Sequence, residues 1–383
     1  MDKVKLGIIG IGNMGSTHSK SIMAGLVPQL TLTAVADRRE ARRAWAAENL
    51  SEVKVFDDGL ELIKSNRCDA VLIATPHYQH PTLAMKAFDA GLHVMCEKPA
   101  GVYTQHVREM NAVATKSGRT FALMFNQRTN CLYRAMHDIV TGGAMGAIKR
   151  VSWIVTDWYR PQIYYDSGDW RATWAGEGGG VLLNQCPHQL DLLQWICGMP
   201  NKISAFCHNG KWHDIEVEDD VTAYLEYPNG ATGTFVTSTA DAPGTNRFEV
   251  TLEMGKLVCE HNTLTQFLLA ENERAFCVKA TGGFDAPACT ERVVETDGLN
   301  EQHNGVLKAF GEHILRGAPL IADGSEGIFG LTLSNAMHLS SWLEKPVELP
   351  LDEYLFLKHL DKHRISSHMR TASDVTFDTS RSY

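Results

Sequence analysis

Residues 3–15 read KVKLGIIGIGNMG, an apolar run that ends on Gly10, Ile11, Gly12, Asn13, Met14 and Gly15 before a helical pattern over 13–26. At such a strand-to-helix junction the three glycines serve different ends. One allows a tight turn, one lets the backbone approach an anion closely, and one lets the helix pack closely on the strand. The helix N-terminus adds amide donors. A second strand-like run, LTLTAVAD at 30–37, ends on Asp37, placed to accept hydrogen bonds from a ribose diol. With 32 glycines in 383 residues the spacing alone is a weak signal. Its place at the first strand, with an acidic residue closing the second, makes it a dinucleotide site. Asp37 repels a 2′-phosphate whereas Arg38 and Arg39 accommodate one, so NAD is expected and NADP stays open.

Outward from this unit the alternation continues through DAVLIAT (69–75), LHVMCE (92–97) and TFALMF (120–125), separated by helical stretches near 79–90 and 102–117. Strands alternating with helices imply βαβ units and a mainly parallel, doubly wound sheet over residues 1–125. Beyond Phe125 the pattern changes. A helix is expected near 131–141, a strand near 147–157, and a helix from about Val181 to Ile196 opened by three glycines. About six β-rich runs between Lys202 and Lys279 follow, joined by turns such as Tyr227-Pro228-Asn229-Gly230, the mark of an antiparallel meander. Helical patterns over 301–316 and 325–343 close a second α/β unit, 126–363, and a polar tail spans 364–383.

The charge balance, 36 Lys and Arg against 45 Asp and Glu, gives −9 and no field for a phosphate backbone, so nucleic acid is not an expected partner. No run approaches the ~18 apolar residues of a membrane span, and Met1 leads into a charged segment; a cytoplasmic protein is expected. The nine cysteines are odd in number, scattered and never spaced Cys-x-x-Cys, which argues against a disulfide framework and a zinc site. No metal is expected, and His359 and His363 read as a solvated face.

The fourth strand runs into Thr75-Pro76-His77-Tyr78-Gln79-His80-Pro81 and the fifth into Glu97-Lys98-Pro99. In an open parallel sheet both loops face the bound cofactor. An ammonium there can hydrogen-bond a substrate hydroxyl and stabilise its alkoxide character as hydride leaves; the bland alternative is an exposed cation paired with Glu97. In the stretch from Gly178 to Asp191, a helix would bring Asn184, His188 and Asp191 to one face at i, i+4 and i+7, with Pro187 bending it. His188 could then take or return a hydroxyl proton, or be a structural histidine bonded to Asp191. Trp158, Tyr159, Arg160, Tyr164, Tyr165, Trp170, Arg171 and Trp174 crowd the preceding segment. Flat faces beside donors suit a pyranose or cyclitol ring, and equally a neighbouring subunit.

With these residues in hand, the chain resembles the glucose-fructose oxidoreductase, inositol dehydrogenase and rhizopine-catabolism (Gfo/Idh/MocA) family from Lys3 to about Asp352. The likeness is carried by the glycine loop, TPHYQHP at 75–81, EKP at 97–99, FNQR at 125–128, GGG with the later His188 and Asp191, EDD at 218–220, PGTNRFEV at 243–250 and DGSEG at 323–327. The resemblance implies a Rossmann domain, then a domain with a large, mainly antiparallel open sheet that binds substrate and forms subunit contacts in homodimers or homotetramers. It implies NAD(P)-linked hydride transfer at a secondary hydroxyl of a sugar, glycoside or cyclitol. Lys98 falls on the catalytic lysine and His188 on the acid/base histidine, and the Lys98-Pro99 bond is often cis in such proteins. Asn126, Arg128, Tyr159, Trp170, Arg171 and Asn184 are then expected at the substrate, and Thr75, Pro76, His77, His80, Glu97, Lys98 and Asn126 at the cofactor beside the glycine loop, Asp37 and Arg38. Asn184 stands where inositol dehydrogenase-like members carry an aspartate; an amide cannot accept a proton, which puts a three-residue relay in doubt. The wording NQCPHQLDLLQW is nearer to members acting on glucosides or anhydrosugars, pointing to C3 of a glucose-like ring. Two rivals are an NAD-dependent glycoside hydrolase acting through a 3-keto intermediate and a nucleotide-sensing regulatory protein.

Overall fold

A computed structural model describes residues 2–368 and 370, and the expected tail lies largely outside them. The apolar runs form a six-stranded parallel sheet in the order β3-β2-β1-β4-β5-β6, made of β1 (Val4–Ile9), β2 (Leu30–Ala36), β3 (Lys54–Phe56), β4 (Ala70–Ile73), β5 (His93–Cys96) and β6 (Phe121–Leu123). Between them run α1 (Asn13–Met23), α2 (Glu40–Asn49), α3 (Gly59–Lys64), α4 (Gln79–Asp89) and α5 (Thr104–Ser117). Every residue of β4 is buried, as expected for a central strand covered on both faces. Helix ends follow local chemistry: Asp58 caps α3 by accepting from the Leu60 amide, and Gly118 closes α5 in the left-handed region at φ 63°.

The second unit opens with α6 (Cys131–Thr141), β7 (Ile148–Val155) and the single turn α7 (Gln162–Tyr165), then α8 (Pro187–Cys197). The six expected strands follow as β8 (Lys202–Asn209), β9 (Glu218–Glu226), β10 (Thr232–Ser238), β11 (Asn246–Leu252), β12 (Gly255–Glu260) and β13 (Thr263–Leu269). After them come α9 (Glu273–Lys279), β14 (Cys289–Val293), α10 (Gln302–Arg316), α11 (Gly327–Leu343), β15 (Val347–Glu348) and α12 (Glu353–Ser366). The nine-stranded sheet has the order β14-β13-β12-β11-β7-β10-β9-β8-β15 and is antiparallel except where β7 meets β10. Trp153, Phe235 and Phe248, from its three central strands, are fully buried, with the Trp153 and Phe248 rings stacked 4.0 Å apart.

Two features differ from expectation. The helix anticipated from Val181 begins only at Pro187, which sits in its first turn, because proline is well placed there and poorly placed inside a helix. Asn184 therefore lies on the preceding turn and does not share a helical face with His188 and Asp191. The helix α10, inside the expected second unit, packs on the parallel sheet: Val306, Leu307 and Phe310 join Val4, Leu6, Ile8 and Leu30 in one buried cluster.

Candidate functional site

At the switch point between β1 and β4 the chain leaves both strands side by side, the place where an open α/β sheet binds its ligand. Gly10 has φ +93°, and a Cβ on it would stand 2.5 Å from the Ala74 carbonyl oxygen; on Gly15 it would collide with the Gly10 carbonyl at 1.9 Å. The turn and the helix-on-strand approach thus both require glycine. At Gly12, the N-cap of α1, a Cβ would meet only the tip of Arg39 at 3.8 Å, and the first turn of α1 holds no acidic residue. That backbone is open to an anion, so these residues fit a dinucleotide pyrophosphate. The Asp37 carboxylate accepts from the Ile11 amide at 2.8 Å and the Arg39 amide at 2.9 Å, bracing the loop, and the Arg39 guanidinium also reaches it at 3.3 Å, so a ribose diol held by Asp37 would take the place of that side chain. Arg38 points to Asp58 at 3.6 Å with its side chain largely exposed.

The loops after β4 and β5 are fastened together by His80, whose ring nitrogens lie 2.7 Å from the Thr75 carbonyl and 2.8 Å from the Pro99 carbonyl. The Lys98-Pro99 peptide is cis. Glu97 does not pair with the Lys98 ammonium. Its carboxylate lies 2.6 Å from Nε2 of the buried His18 on α1. Burial raises the Glu97 carboxyl, but the contact with His18 outweighs it and the net direction is down. The His303 ring sits 5.4 Å from that of His18, and burial lowers its pKa to about 4.

Lys98 reaches across to the second unit. Its Nζ donates to the main-chain carbonyl of Asn184 at 2.8 Å, and burial lowers its pKa against the pull of Glu97. The Asn184 side chain is gripped at both ends: Oδ1 accepts from the Tyr164 hydroxyl at 3.1 Å, and Nδ2 donates to Glu177 Oε1. Arg171 and Gln185 donate to the Tyr164 oxygen at 3.2 and 3.3 Å, and the Arg171 guanidinium lies 4.6 Å from the Trp170 ring centre. His77 stands edge-on to Trp170, its Nδ1 3.2 Å from the Glu177 carbonyl. The turn bearing Asn184 is itself clamped: the buried Glu218 of the EDD motif accepts the Gly180 amide at 2.9 Å and the Leu182 amide at 3.0 Å, with His338 at 2.9 Å.

His188, in the first turn of α8, is buried with Phe125 edge-on at 6.3 Å. Burial first, then the positive charge of Lys98, holds its pKa well below the ordinary value, so the ring is neutral. The alternative of a His188–Asp191 pair is not what forms. Asp191 is held in a two-point ion pair by Arg128, at 2.7 and 2.6 Å, and Arg128 also reaches Glu326 at 2.5 Å. With its fork spent on two carboxylates and its side chain 3% exposed, Arg128 is a structural tie. Asn126 is buried and donates to Gln302, and Tyr159, 52% exposed, lies on the surface. His363, expected on a solvated face, has its ring 4.8 Å from that of Trp342. Glu177, His18 and His303 were missed by sequence reasoning. Glu177, flush against the three glycines in an otherwise apolar stretch, carried a usable signal; the two histidines carried none.

Residues 4–125 match the oxidoreductase family model for an NAD-binding Rossmann fold, and residues 133–258 match the Gfo/Idh/MocA C-terminal domain. Inositol 2-dehydrogenase of Rubrobacter xylanophilus is 29% identical over 51% of this chain and 52% of its own length. D-glucoside 3-dehydrogenase of Escherichia coli is 27% identical over 59% of this chain and 68% of its own. The chain thus spans about half to two thirds of the curated relatives it matches. The WlbA dehydrogenase of Chromobacterium violaceum, solved in complex with NADH and UDP-GlcNAcA, superposes with a TM-score of 0.77 at 25% identity, covering 92% of this chain and 97% of that one. The chain belongs to the Gfo/Idh/MocA family of NAD-binding oxidoreductases.

Proposed function

We propose that this member of the family is an NAD-dependent dehydrogenase acting on a secondary hydroxyl of a pyranose, glycoside or cyclitol, with C3 of a glucose-like ring the first position to examine. The observation that carries the reading is the reach of Lys98 from the loop after β5 to the Asn184 turn of the second unit, beside a neutral His188. Nicotinamide, when bound, supplies the hydride acceptor or donor. Lys98 would stabilise the oxyanion that develops on the reacting oxygen, and His188 would accept the hydroxyl proton. Trp170, Arg171 and Tyr164 would border the ring, and Asn184 would hold one of its hydroxyls. The names of the relatives, an inositol and a glucoside dehydrogenase, support the same substrate class. We further propose that residues 126–363 bind substrate and that the nine-stranded sheet joins copies into a homo-oligomer.

The test is the absorbance at 340 nm with NAD and NADP against glucose, glucosides, anhydrosugars and inositols, with NMR of the product to locate the ketone. Reduction of NAD with a stable keto product supports the dehydrogenase. Aglycone release without net NADH would replace it with an NAD-dependent glycoside hydrolase, and cofactor binding without turnover on the whole panel with a nucleotide sensor.

A further inference from the structure

The side chain of Asn184 is an amide with no charge of its own, yet a carboxylate lies directly against it. Asn184 Nδ2 donates to Oε1 of Glu177, whose side chain is 2% exposed and whose Oε2 accepts the Ala172 amide at 2.7 Å. The Arg171 guanidinium lies 3.9 Å away. Two oxygens facing two N–H donors, with a cation alongside, is the setting of an ionised carboxylate. Burial pushes the Glu177 carboxyl upward; Arg171 and these donors oppose that without cancelling it, so the net direction is up, and the charge on Glu177 rests on their contacts. Asn184 in turn holds Lys98 through its main-chain carbonyl at 2.8 Å, so fixing the side chain fixes the turn that carries this acceptor.

We propose that Glu177 is a positioning residue that supplies, one side chain further out, the charge Asn184 lacks, fixing Asn184 and through it the Lys98 ammonium. The proposal rests on the dehydrogenase reading above for its kinetic consequences but not for its electrostatic ones. The charges near Lys98 are Glu97 and Glu177 on one side of the balance and Arg171 and Arg160 on the other. The imidazoles of His77, His80, His188 and His303 face the same ammonium.

Geometry supplies a sharp test, because the pair can be exchanged. In the double variant Asn184→Asp/Glu177→Gln, the new amide at position 177 keeps its oxygen on the Ala172 amide and turns its NH2 toward the new carboxylate at position 184. That carboxylate still accepts from Tyr164, so every hydrogen bond survives with the charge moved one side chain inward. Glu177→Gln alone sets two NH2 groups against each other, and Asn184→Asp alone sets two carboxylates in contact, so that one must hold a proton. Each single variant is expected to lose about thirtyfold in kcat/KM, and the double variant to return to within about threefold of the parent. Independent of any substrate, NMR of 13C-methylated lysines follows Lys98, assigned by its loss in Lys98→Met. Glu177→Gln is expected to lower its titration midpoint by about half a pH unit or more, and the double variant to restore it.

Additive losses, or a Lys98 titration indifferent to Glu177→Gln, would overturn the proposal. A parent enzyme silent on every sugar would instead remove the dehydrogenase reading, leaving the titration to decide this one. Should Glu177→Gln not fold, the Lys98 midpoint in the exchanged pair decides: near the parent's it supports the proposal, and displaced by about half a pH unit or more it overturns it.

Discussion

The two ends of the site are built on different plans. The cofactor end is local: Gly10, Gly12, Gly15 and Asp37 lie at two successive strand ends, and their fit depends on backbone positions and one carboxylate bonded to neighbouring amides. The substrate end is assembled from afar, from Lys98 after β5, Tyr164, Arg171 and Glu177 in the link before α8, Asn184 on a turn held by Glu218, and His188 on α8. A local plan tolerates drift elsewhere in the chain, whereas an assembled one makes each side chain depend on several others. The two ends should therefore fail separately, and that separation can be challenged.

The largest effect is expected from Lys98→Met, which should lower turnover about a thousandfold or more while NADH affinity, read by nucleotide fluorescence, stays within about threefold. A matching loss of NADH affinity would erase the distinction between the ends. Gly10→Ala is the mirror case. Its φ of +93° and the 2.5 Å approach of its Cβ to the Ala74 carbonyl should cost about a hundredfold in NAD affinity, read by calorimetry, with a fall in Tm.

The legibility of the sequence follows the same division. The glycine loop, Asp37 and the order of the parallel strands could be read directly, since turn chemistry and strand period are properties of neighbours in the chain. Lys98 and His188 were placed by their motifs, but their partners were not: Glu97 turned to His18 and Asp191 to Arg128, because pairing between segments separated by tens of residues leaves no periodic trace. The helix expected from Val181 overran by nearly two turns because its apolar pattern, GVLLNQC, fits a helix and a buried turn alike. Glu177 belonged to no known spacing, although an acid wedged between apolar residues and glycines was in view.

A smaller effect concerns pH. His77, His188 and His303 are all lowered by burial, His303 to about 4, so the unfolded chain takes up protons on these rings below about pH 6.5 while the folded one does not. Stability should fall as pH drops from about 6.5 toward 4, and His303→Gln should flatten the slope of Tm against pH in that window. A slope unchanged by the substitution would place the acid sensitivity elsewhere. Smallest of all, Tyr159→Ala should leave Tm and kcat/KM nearly as they were, within about 0.5 kcal/mol, because the residue is 52% exposed. A tenfold rise in KM would extend the substrate end outward to the surface.

The return of α10 to the parallel sheet has a consequence for how the molecule can be cut. A fragment ending near Phe125 would strip the cover from Val4, Leu6 and Ile8 and leave a sticky apolar flank, so the nucleotide half is not severable at the point where its strands end. Splitting the gene there would yield an insoluble piece unless the distant helix were supplied in trans. A circularly permuted chain that places residues 302–316 ahead of Met1 would instead bring that cover along.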